Sequence, residues 1–437
     1  MSDHLTHGIP VSISARLSGI GSLRVVSLGD GDPVELGVGS ILQGKVAVSD
    51  DGLVYISAQL FDPAEQKIVW GPRIFEQPIE YAVLLESEIA QEIASALALE
   101  LTPDEVQRLG RPPTKSADAY ALYLRSLYQL HTLAADEANA KAEENLLAAL
   151  DHDPDFALAY AGLAVLYMSS GRNEDAQIAA ARALELDPDE AESHWIMGWL
   201  HEDRGEWAKA QASYEQGVRR SPSSGTLLSR GARLASWLGQ FDEANAQMEH
   251  ALRVDPRSWV RHMYAANLQR MAGNFQRSIE LQNTMHEIEP LSANRSDTTM
   301  LRLLSYVGNE DCRLALSIAR DQSENARLFA ESLSVLAYVY GKCGELSIAL
   351  DLLVRLEAMA AEGRVRPALM KDWYLTMAYL GVGNNEQALA ALKRSFDNRI
   401  TGPPLPLAPL DPFWDPVREN PRFIALAERI NLPVKLR

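Results

Sequence analysis

The chain has 437 residues, of which 47% are hydrophobic and 23% are charged, the composition of a folded protein. It is too long for one compact core, so we expect several domains or an array that grows by stacking. The 59 acidic and 41 basic residues give a net charge of −18, which would repel nucleic-acid phosphates. We therefore expect no nucleic-acid partner.

Targeting and redox signals are few. No apolar run approaches the length of a transmembrane helix, and residues 1–10 lack the pattern of a signal peptide. The two cysteines, Cys312 and Cys343, both fall in predicted helices, which favours buried reduced thiols over a disulfide. The sequence therefore predicts a cytoplasmic protein without a transmembrane segment.

Residues 1–101 predict a small α+β domain. A helix is expected over residues 9–17 and a short strand over 23–27, with a turn-rich stretch after it. In the central part, apolar and polar residues alternate with a period of two, which indicates half-buried strands joined by a tight Asp-Asp-Gly turn. The strands of this antiparallel meander are predicted over residues 40–48, 53–62 and 67–76. A helix follows to about residue 101, with one apolar stripe through Leu85, Ile89, Ile93 and Leu97.

This order of elements resembles the TolB-like (FlgO-like) N-terminal domain of bacterial repeat proteins. The resemblance covers roughly residues 8–105 and lies in residues 23–27, 35–46, 56–62, 69–70 and 99–105. It implies a neighbour such as an adenylate cyclase, a winged-helix regulator or a kinase, on the same longer reading frame or on another chain. The first strand of that family is absent here, and residues 28–33 are too short for its second helix.

Residues 102–116 predict the start of a helix followed by a linker. Thr102 can cap a helix that continues with Pro103, Asp104 and Glu105. The proline-rich stretch 111–116 then separates the α+β domain from the rest of the chain.

A strict repeat begins near Ala117. Its five prolines follow one another at intervals of 34 residues, which a generic helical bundle would not maintain; they are Pro154, Pro188, Pro222, Pro256 and Pro290. Glycines keep the same interval between two segments of helical periodicity, at Gly171, Gly205, Gly239 and Gly273. Glycine permits the positive φ of a tight turn, and proline ends the second helix. Each repeat is therefore predicted to be a pair of antiparallel helices.

A two-helix period of 34 residues resembles the tetratricopeptide repeat. The best copy spans residues 155–188 and carries Tyr160, Leu163, Ala164, Tyr167, Gly171, Ala176, Ala180, Ala183 and Pro188 at the spacing of that family. Beyond Pro290 the repeats drift, and Gly308 is slightly out of step. The predicted fold is mostly α, an α-solenoid of about eight tetratricopeptide helix pairs over residues 117–400.

Residues 401–437 predict a proline-rich segment and a last helix. The stretch from Leu410 to Pro416, followed by residues 420–423, resembles the closing segment of the same family. We expect it to cap the last apolar face of the array.

Catalytic and cofactor motifs are missing from the sequence. His194 and His201 lie on one helix face but occupy positions where the repeat packs an aromatic ring, so packing is favoured over metal binding. The glycines before residue 45 match neither a P-loop nor a dinucleotide fingerprint. We expect no enzyme activity, no metal site and no cofactor.

The resemblance implies that the first helix of each pair lines a concave groove. Its family geometry places eight aromatic, amide and basic residues there: Trp195, Trp199, Arg230, Arg233, Trp237, Tyr264, Asn267 and Arg270. Arginine and tryptophan dominate binding hot spots, and arginine holds carboxylates through paired hydrogen bonds. These residues predict a groove for a protein or peptide segment with an acidic group. The alternative is that the tryptophans complete helix packing while the arginines are solvated or pair with Glu202 and Asp203.

Three functions remain open at this stage. The first is a non-enzymatic scaffold that binds a protein segment in the groove. The second is a regulatory or sensor module that controls a cyclase, kinase or transcription factor. The third, an unrecognised enzyme, would need a cleft with perturbed acids or histidines. The partner and the oligomeric state cannot be predicted from the sequence.

Overall fold

The structure is a computed structural model that describes residues 3–25, 38–49, 53–78, 81–132, 135–290, 296–325, 329–365, 370–397 and 410–429. The chain divides into two compact units. Unit 1 contains Met1–His201, Ala208–Arg230 and His250–Arg257, and unit 2 contains Glu202–Trp207, Gly231–Glu249 and Ser258–Arg437.

Unit 1 contains a three-stranded antiparallel sheet. Its strands are β1 (Ile41–Val48), β2 (Leu53–Asp62) and β3 (Lys67–Pro78), in the order β1-β2-β3. Four alternate side chains of β2 are buried: Val54, Ile56, Ala58 and Leu60. The predicted meander is therefore confirmed. The predicted strand over 23–27 is not found in its described part, because residues 23–25 have no regular structure, and residues 26 and 27 lie outside the described residues.

Three helices accompany the sheet: α1 (Asp3–Leu17), α2 (Ala82–Ala96) and α3 (Pro103–Gly110). Helix α2 ends earlier than the predicted residue 101, because Ala98 takes a left-handed conformation with φ of 50°. Helix α3 begins as predicted. The Thr102 side chain accepts a hydrogen bond from the Glu105 backbone N–H, and the Glu105 carboxylate accepts one from that of Thr102.

The other elements of regular structure in the described chain are helices. The helices are α4 (Ala117–Thr132), α5 (Ala135–His152), α6 (Ala157–Ser169), α7 (Asn173–Leu186), α8 (Ala191–Asp203), α9 (Trp207–Arg220), α10 (Gly225–Trp237), α11 (Phe241–Val254), α12 (Trp259–Met271), α13 (Phe275–Ile288), α14 (Ser296–Gly308), α15 (Cys312–Asn325), α16 (Ala330–Lys342), α17 (Leu346–Ala361), α18 (Lys371–Gly381), α19 (Asn385–Asp397) and α20 (Pro421–Glu428). Helices α4 to α19 form eight consecutive pairs in the described chain. The predicted α-solenoid of helix pairs behind a small antiparallel sheet is confirmed.

The turns inside the pairs show why the repeat is periodic. The four glycines of the regular repeats all have positive φ, between 69° at Gly205 and 79° at Gly273. In the α14–α15 turn this conformation is taken by Glu310, with φ of 59°, and not by Gly308. Gly308 ends α14, where a side chain would clash with the Phe275 ring. The irregular glycine of the sequence is thus a packing glycine, and a glutamate makes the turn.

One hydrophobic core runs through unit 2 from α13 to α20. Residues of the closing segment belong to it: Phe413 and Trp414 in a 3-10 turn (Pro412–Trp414), and Phe423 in α20. The closing segment is therefore buried against the repeats of unit 2.

The prediction of reduced cysteines was wrong, because Cys312 and Cys343 form a disulfide with their Cα atoms 5.4 Å apart. Cys312 begins α15 and Cys343 follows the end of α16, so two neighbouring antiparallel helices bring them to the same end. Disulfides are typical of oxidising compartments. The cytoplasmic location therefore stays a prediction without support from the cysteines.

None of the helices in the described part of the chain could span a membrane.

Candidate functional site

The eight residues predicted to line the groove lie on three helices and in both units. Unit 1 contains Trp195 and Trp199 on α8 and Arg230 on α10. Unit 2 contains Arg233 and Trp237 on α10, and Tyr264, Asn267 and Arg270 on α12.

In unit 1 an arginine lies over a tryptophan ring. The guanidinium carbon of Arg230 is 5.2 Å from the centroid of the Trp195 ring, within range of a cation–π interaction. Trp195 is buried, and its indole N–H donates a hydrogen bond of 2.5 Å to Glu192 Oε2. Trp199 and Arg230 are half-buried, so both reach the surface. Together these residues form what we call the α8–α10 patch: Trp195, Trp199 and Arg230.

The two predicted α10 residues in unit 2, Arg233 and Trp237, contact other side chains of the same unit. Arg233 forms an ion pair with Glu202, whose side chain is 4% exposed, and its guanidinium carbon lies 4.5 Å from the Trp237 ring centroid. Trp237 is buried, and its ring meets Trp207 edge to face at 6.4 Å. This is the geometry of the packing alternative, in which an arginine pairs with Glu202 and a tryptophan completes the core.

Arg270 on α12 binds a carboxylate of its own chain. Arg270 Nη1 lies 2.8 Å from Asp411 Oδ1, and its Nη2 lies 2.5 Å from Asp411 Oδ2. The side chains are only 4% and 0% exposed. Burial alone would lower the pKa of Arg270, but the Asp411 carboxylate holds that pKa above its ordinary value. Arg270 also donates to Asn267 Oδ1 at 3.1 Å, and Tyr264 is half-buried nearby on the same helix.

The aromatic surroundings of Asp411 were not foreseen from the sequence. Phe413 lies 4.9 Å from the Tyr338 ring and 6.2 Å from the Trp373 ring, centroid to centroid. Trp414 meets Trp373 at 5.7 Å. Asp411 follows Arg270 by 141 residues, so no local pattern connects them. The pair could have been predicted on chemical grounds. An arginine of the predicted groove needs an acidic partner, and the closing segment contains an aspartate among aromatic residues.

If the protein were an enzyme, Glu86 would be the first candidate for a catalytic residue, because it is an acid with a shifted pKa. Its side chain is fully buried in unit 1 and accepts hydrogen bonds from Ser12 and Tyr120. Arg16 Nε lies 3.6 Å from its Oε2. Burial raises the pKa of Glu86 to about 7, against the opposing effect of Ser12 and Arg16. These partners enclose the carboxylate between α1, α2 and α4.

We expect the free energy of unfolding to fall as the pH rises from about 5 to about 8, because of Glu86. In that range the folded chain keeps a proton on Glu86 that the unfolded chain has released at its ordinary pKa of 4.5. Above the folded pKa, the stabilisation present at low pH is lost, roughly 2–3 kcal/mol. Denaturant unfolding at several pH values should show this slope reduced in Glu86→Gln. The exposed Glu88→Gln on the same helix is the control, and an unchanged slope in Glu86→Gln would contradict the assignment.

Among the described residues no cluster of three or more His, Cys, Asp or Glu side chains could hold a metal ion. The His194 ring contacts the Pro188 carbonyl oxygen at 2.9 Å, and burial lowers its pKa. His194 is half-buried on α8.

Unit 1 also contains an apolar cavity of about 820 Å³ between α1, α2 and the sheet. Its walls include Ile13, Ile56, Leu60 and Ile93. Residues 26–37 connect two lining residues, Val25 and Val38, and lie outside the described part.

Comparison with known proteins identifies the repeats. Residues 133–200 match the family described as "Tetratricopeptide repeat". No curated protein matches the sequence significantly. The TolB-like resemblance of the N-terminal residues remains a prediction.

Solved structures with a similar fold include a tetratricopeptide repeat protein from Parabacteroides merdae, with 17% identity and a TM-score of 0.44 over 60% of this chain and 98% of that one. Another is PilW, a type IV pilus biogenesis factor, with 18% identity and a TM-score of 0.44 over 50% and 98%. YrrB, described as having an unusual peptide-binding site, has 17% identity and a TM-score of 0.34 over 48% and 97%. With TM-scores below 0.5, none of these likenesses says what this chain binds.

Proposed function

Because the chain carries tetratricopeptide repeats, we propose that it is a non-enzymatic scaffold that binds a segment of another protein on the first helices of its repeats. The observation that carries this proposal is the α8–α10 patch of unit 1. There Arg230 lies over the Trp195 ring, on the first helices of two successive pairs, and the half-buried Trp199 follows Trp195 by one helical turn. An arginine that lies over an aromatic ring is a typical feature of protein-binding surfaces.

The partner segment that suits this patch carries an acidic group. A guanidinium that a ring already holds in place loses little further conformational freedom when it binds a carboxylate. It can also bind both carboxylate oxygens at once. In unit 2, Arg270 holds Asp411 in this two-point manner. The same residue type on a first helix thus already recognises an aspartate within this chain, which supports an acidic partner for Arg230.

The proposal is tested by affinity capture with the full chain, followed by mapping of the captured protein on a peptide array. The variant Trp199→Ala/Arg230→Ala changes only half-buried residues and leaves the buried Trp237 and the ion pair between Arg233 and Glu202 unchanged. It should bind an acidic peptide of the partner at least about 30-fold more weakly, as expected when hot-spot contacts are lost. Ile178→Ala is the control, because Ile178 is 69% exposed on the second helix of a pair. Equal binding by all three proteins would refute the proposal.

A regulatory function is the second candidate, and the apolar cavity of unit 1 is the observation that favours it. Its volume of about 820 Å³ lies in the range of small-molecule pockets. In this function a ligand or partner at residues 1–101 would control a cyclase, kinase or transcription factor on another chain. Capture of such a protein that survives Trp199→Ala/Arg230→Ala, but is lost when Ala58→Leu fills the cavity, would favour regulation over the scaffold.

A further inference from the structure

The closing segment lies across the first helices of unit 2. The Asp411 carboxylate is bound by Arg270 of α12. The Phe413 ring packs against Tyr338 of α16, and the Trp414 ring packs against Trp373 of α18. A short stretch of chain thus touches the first helices of three different pairs. That is the face on which the proposed function places a bound partner segment.

The segment has the form of a compact, preorganised turn. The Asp411 carboxylate accepts a hydrogen bond of 2.9 Å from the Phe413 backbone N–H and so caps the 3-10 turn from Pro412 to Trp414. Arg418 closes the turn by donating to the carbonyl oxygens of Leu410 and Asp411, at 3.3 Å and 2.8 Å. A turn held by its own hydrogen bonds loses little conformational entropy when it docks.

The interface is built like a recognition site. Phe413 and Trp414 are 3% and 1% exposed and provide two aromatic anchors. The ion pair between Arg270 and Asp411 is almost completely desolvated at both ends. A buried ion pair adds little net stability compared with apolar residues of the same size, but it strongly rejects a partner that lacks the matching charge.

We propose that the face formed by Arg270, Tyr338 and Trp373 is a binding site for an Asp-Pro-aromatic-aromatic turn, and that the chain occupies this site with its own residues 411–414. This inference rests on the proposed function, because it makes the first helices of unit 2 a peptide-binding surface. A partner that binds unit 2 at this site carries the same acidic-aromatic turn and competes with the closing segment.

The test uses the full chain and a fluorescein-labelled peptide of residues 410–420, followed by fluorescence anisotropy. The variant Asp411→Ala/Phe413→Ala/Trp414→Ala empties the site and should bind the peptide, whereas the wild type should bind it at least about 30-fold more weakly because its site is filled. Adding Arg270→Met to the emptied variant should weaken binding at least about 30-fold, and so should Asp→Asn in the peptide. An emptied variant that keeps its helical circular dichroism and still fails to bind the peptide would overturn the proposal.

A second measurement covers the case in which the emptied variant does not fold. The same peptide with a photoreactive benzoylphenylalanine at the Phe413 position is added in excess to the wild-type chain. Crosslinks should form on α16 and α18 around Tyr338 and Trp373, and unlabelled peptide should suppress them. The absence of competable crosslinks on these helices would overturn the proposal. Either failure leaves the test of Trp199 and Arg230 in unit 1 unaffected, so the two proposals fail separately.

Discussion

Reduction of the Cys312–Cys343 disulfide is expected to lower the free energy of unfolding by about 3–4 kcal/mol. The two cysteines are 31 residues apart, so the bond closes a long loop in the unfolded chain and removes much of its conformational entropy. Both side chains are half-buried, which leaves the bond within reach of a small reductant. The bond connects the turn inside the α14–α15 pair to the turn inside the α16–α17 pair, so the segment between them is constrained.

Urea unfolding followed by circular dichroism, with and without dithiothreitol, measures this effect. Cys312→Ser/Cys343→Ser should unfold at the midpoint of the reduced wild type, and the reductant should not change it further. A wild type whose midpoint is the same in both conditions would contradict the expectation.

The repeat was readable from the sequence because it depends on local rules. A proline ends each second helix and a glycine makes each turn, and both requirements recur with the period of the fold. The eight helix pairs and the meander followed from such patterns. In the α14–α15 turn the residue with left-handed backbone conformation is Glu310. A glycine pattern cannot predict such a turn, because residues other than glycine can also take this conformation.

Long-range pairs could not be predicted in the same way. The Cys312–Cys343 disulfide depends on how two neighbouring helices align, and the Arg270–Asp411 pair on a closing segment that folds back within unit 2. Family spacing placed Arg270 on the first helix of its repeat, but nothing in that spacing says which groups lie opposite. The sequence predicted an acidic group on a partner segment, whereas Arg270 pairs with Asp411 of the chain itself.

Arg270→Met is expected to lower the free energy of unfolding by about 3–5 kcal/mol, because it strands the buried Asp411 carboxylate without a counter-charge. Adding Asp411→Asn to this variant should recover part of the loss. The amide is neutral, and its oxygen can still accept from the Phe413 backbone N–H that caps the turn. The recovery would show that the penalty comes from the stranded charge and not from lost packing of the arginine.

Denaturant unfolding of the two variants against Arg277→Met decides this point. Arg277 pairs with Glu280 on α13 of the same unit at 2.9 Å, with both side chains about half exposed, so its loss should cost under about 1 kcal/mol. Equal effects of Arg270→Met and Arg277→Met would contradict the buried pair. If the closing segment undocks in Arg270→Met, the loss cannot exceed the free energy of docking. The measured loss is then a lower limit for the free energy of docking. A competing partner has to replace the same contacts, so it must bind this site at least that strongly.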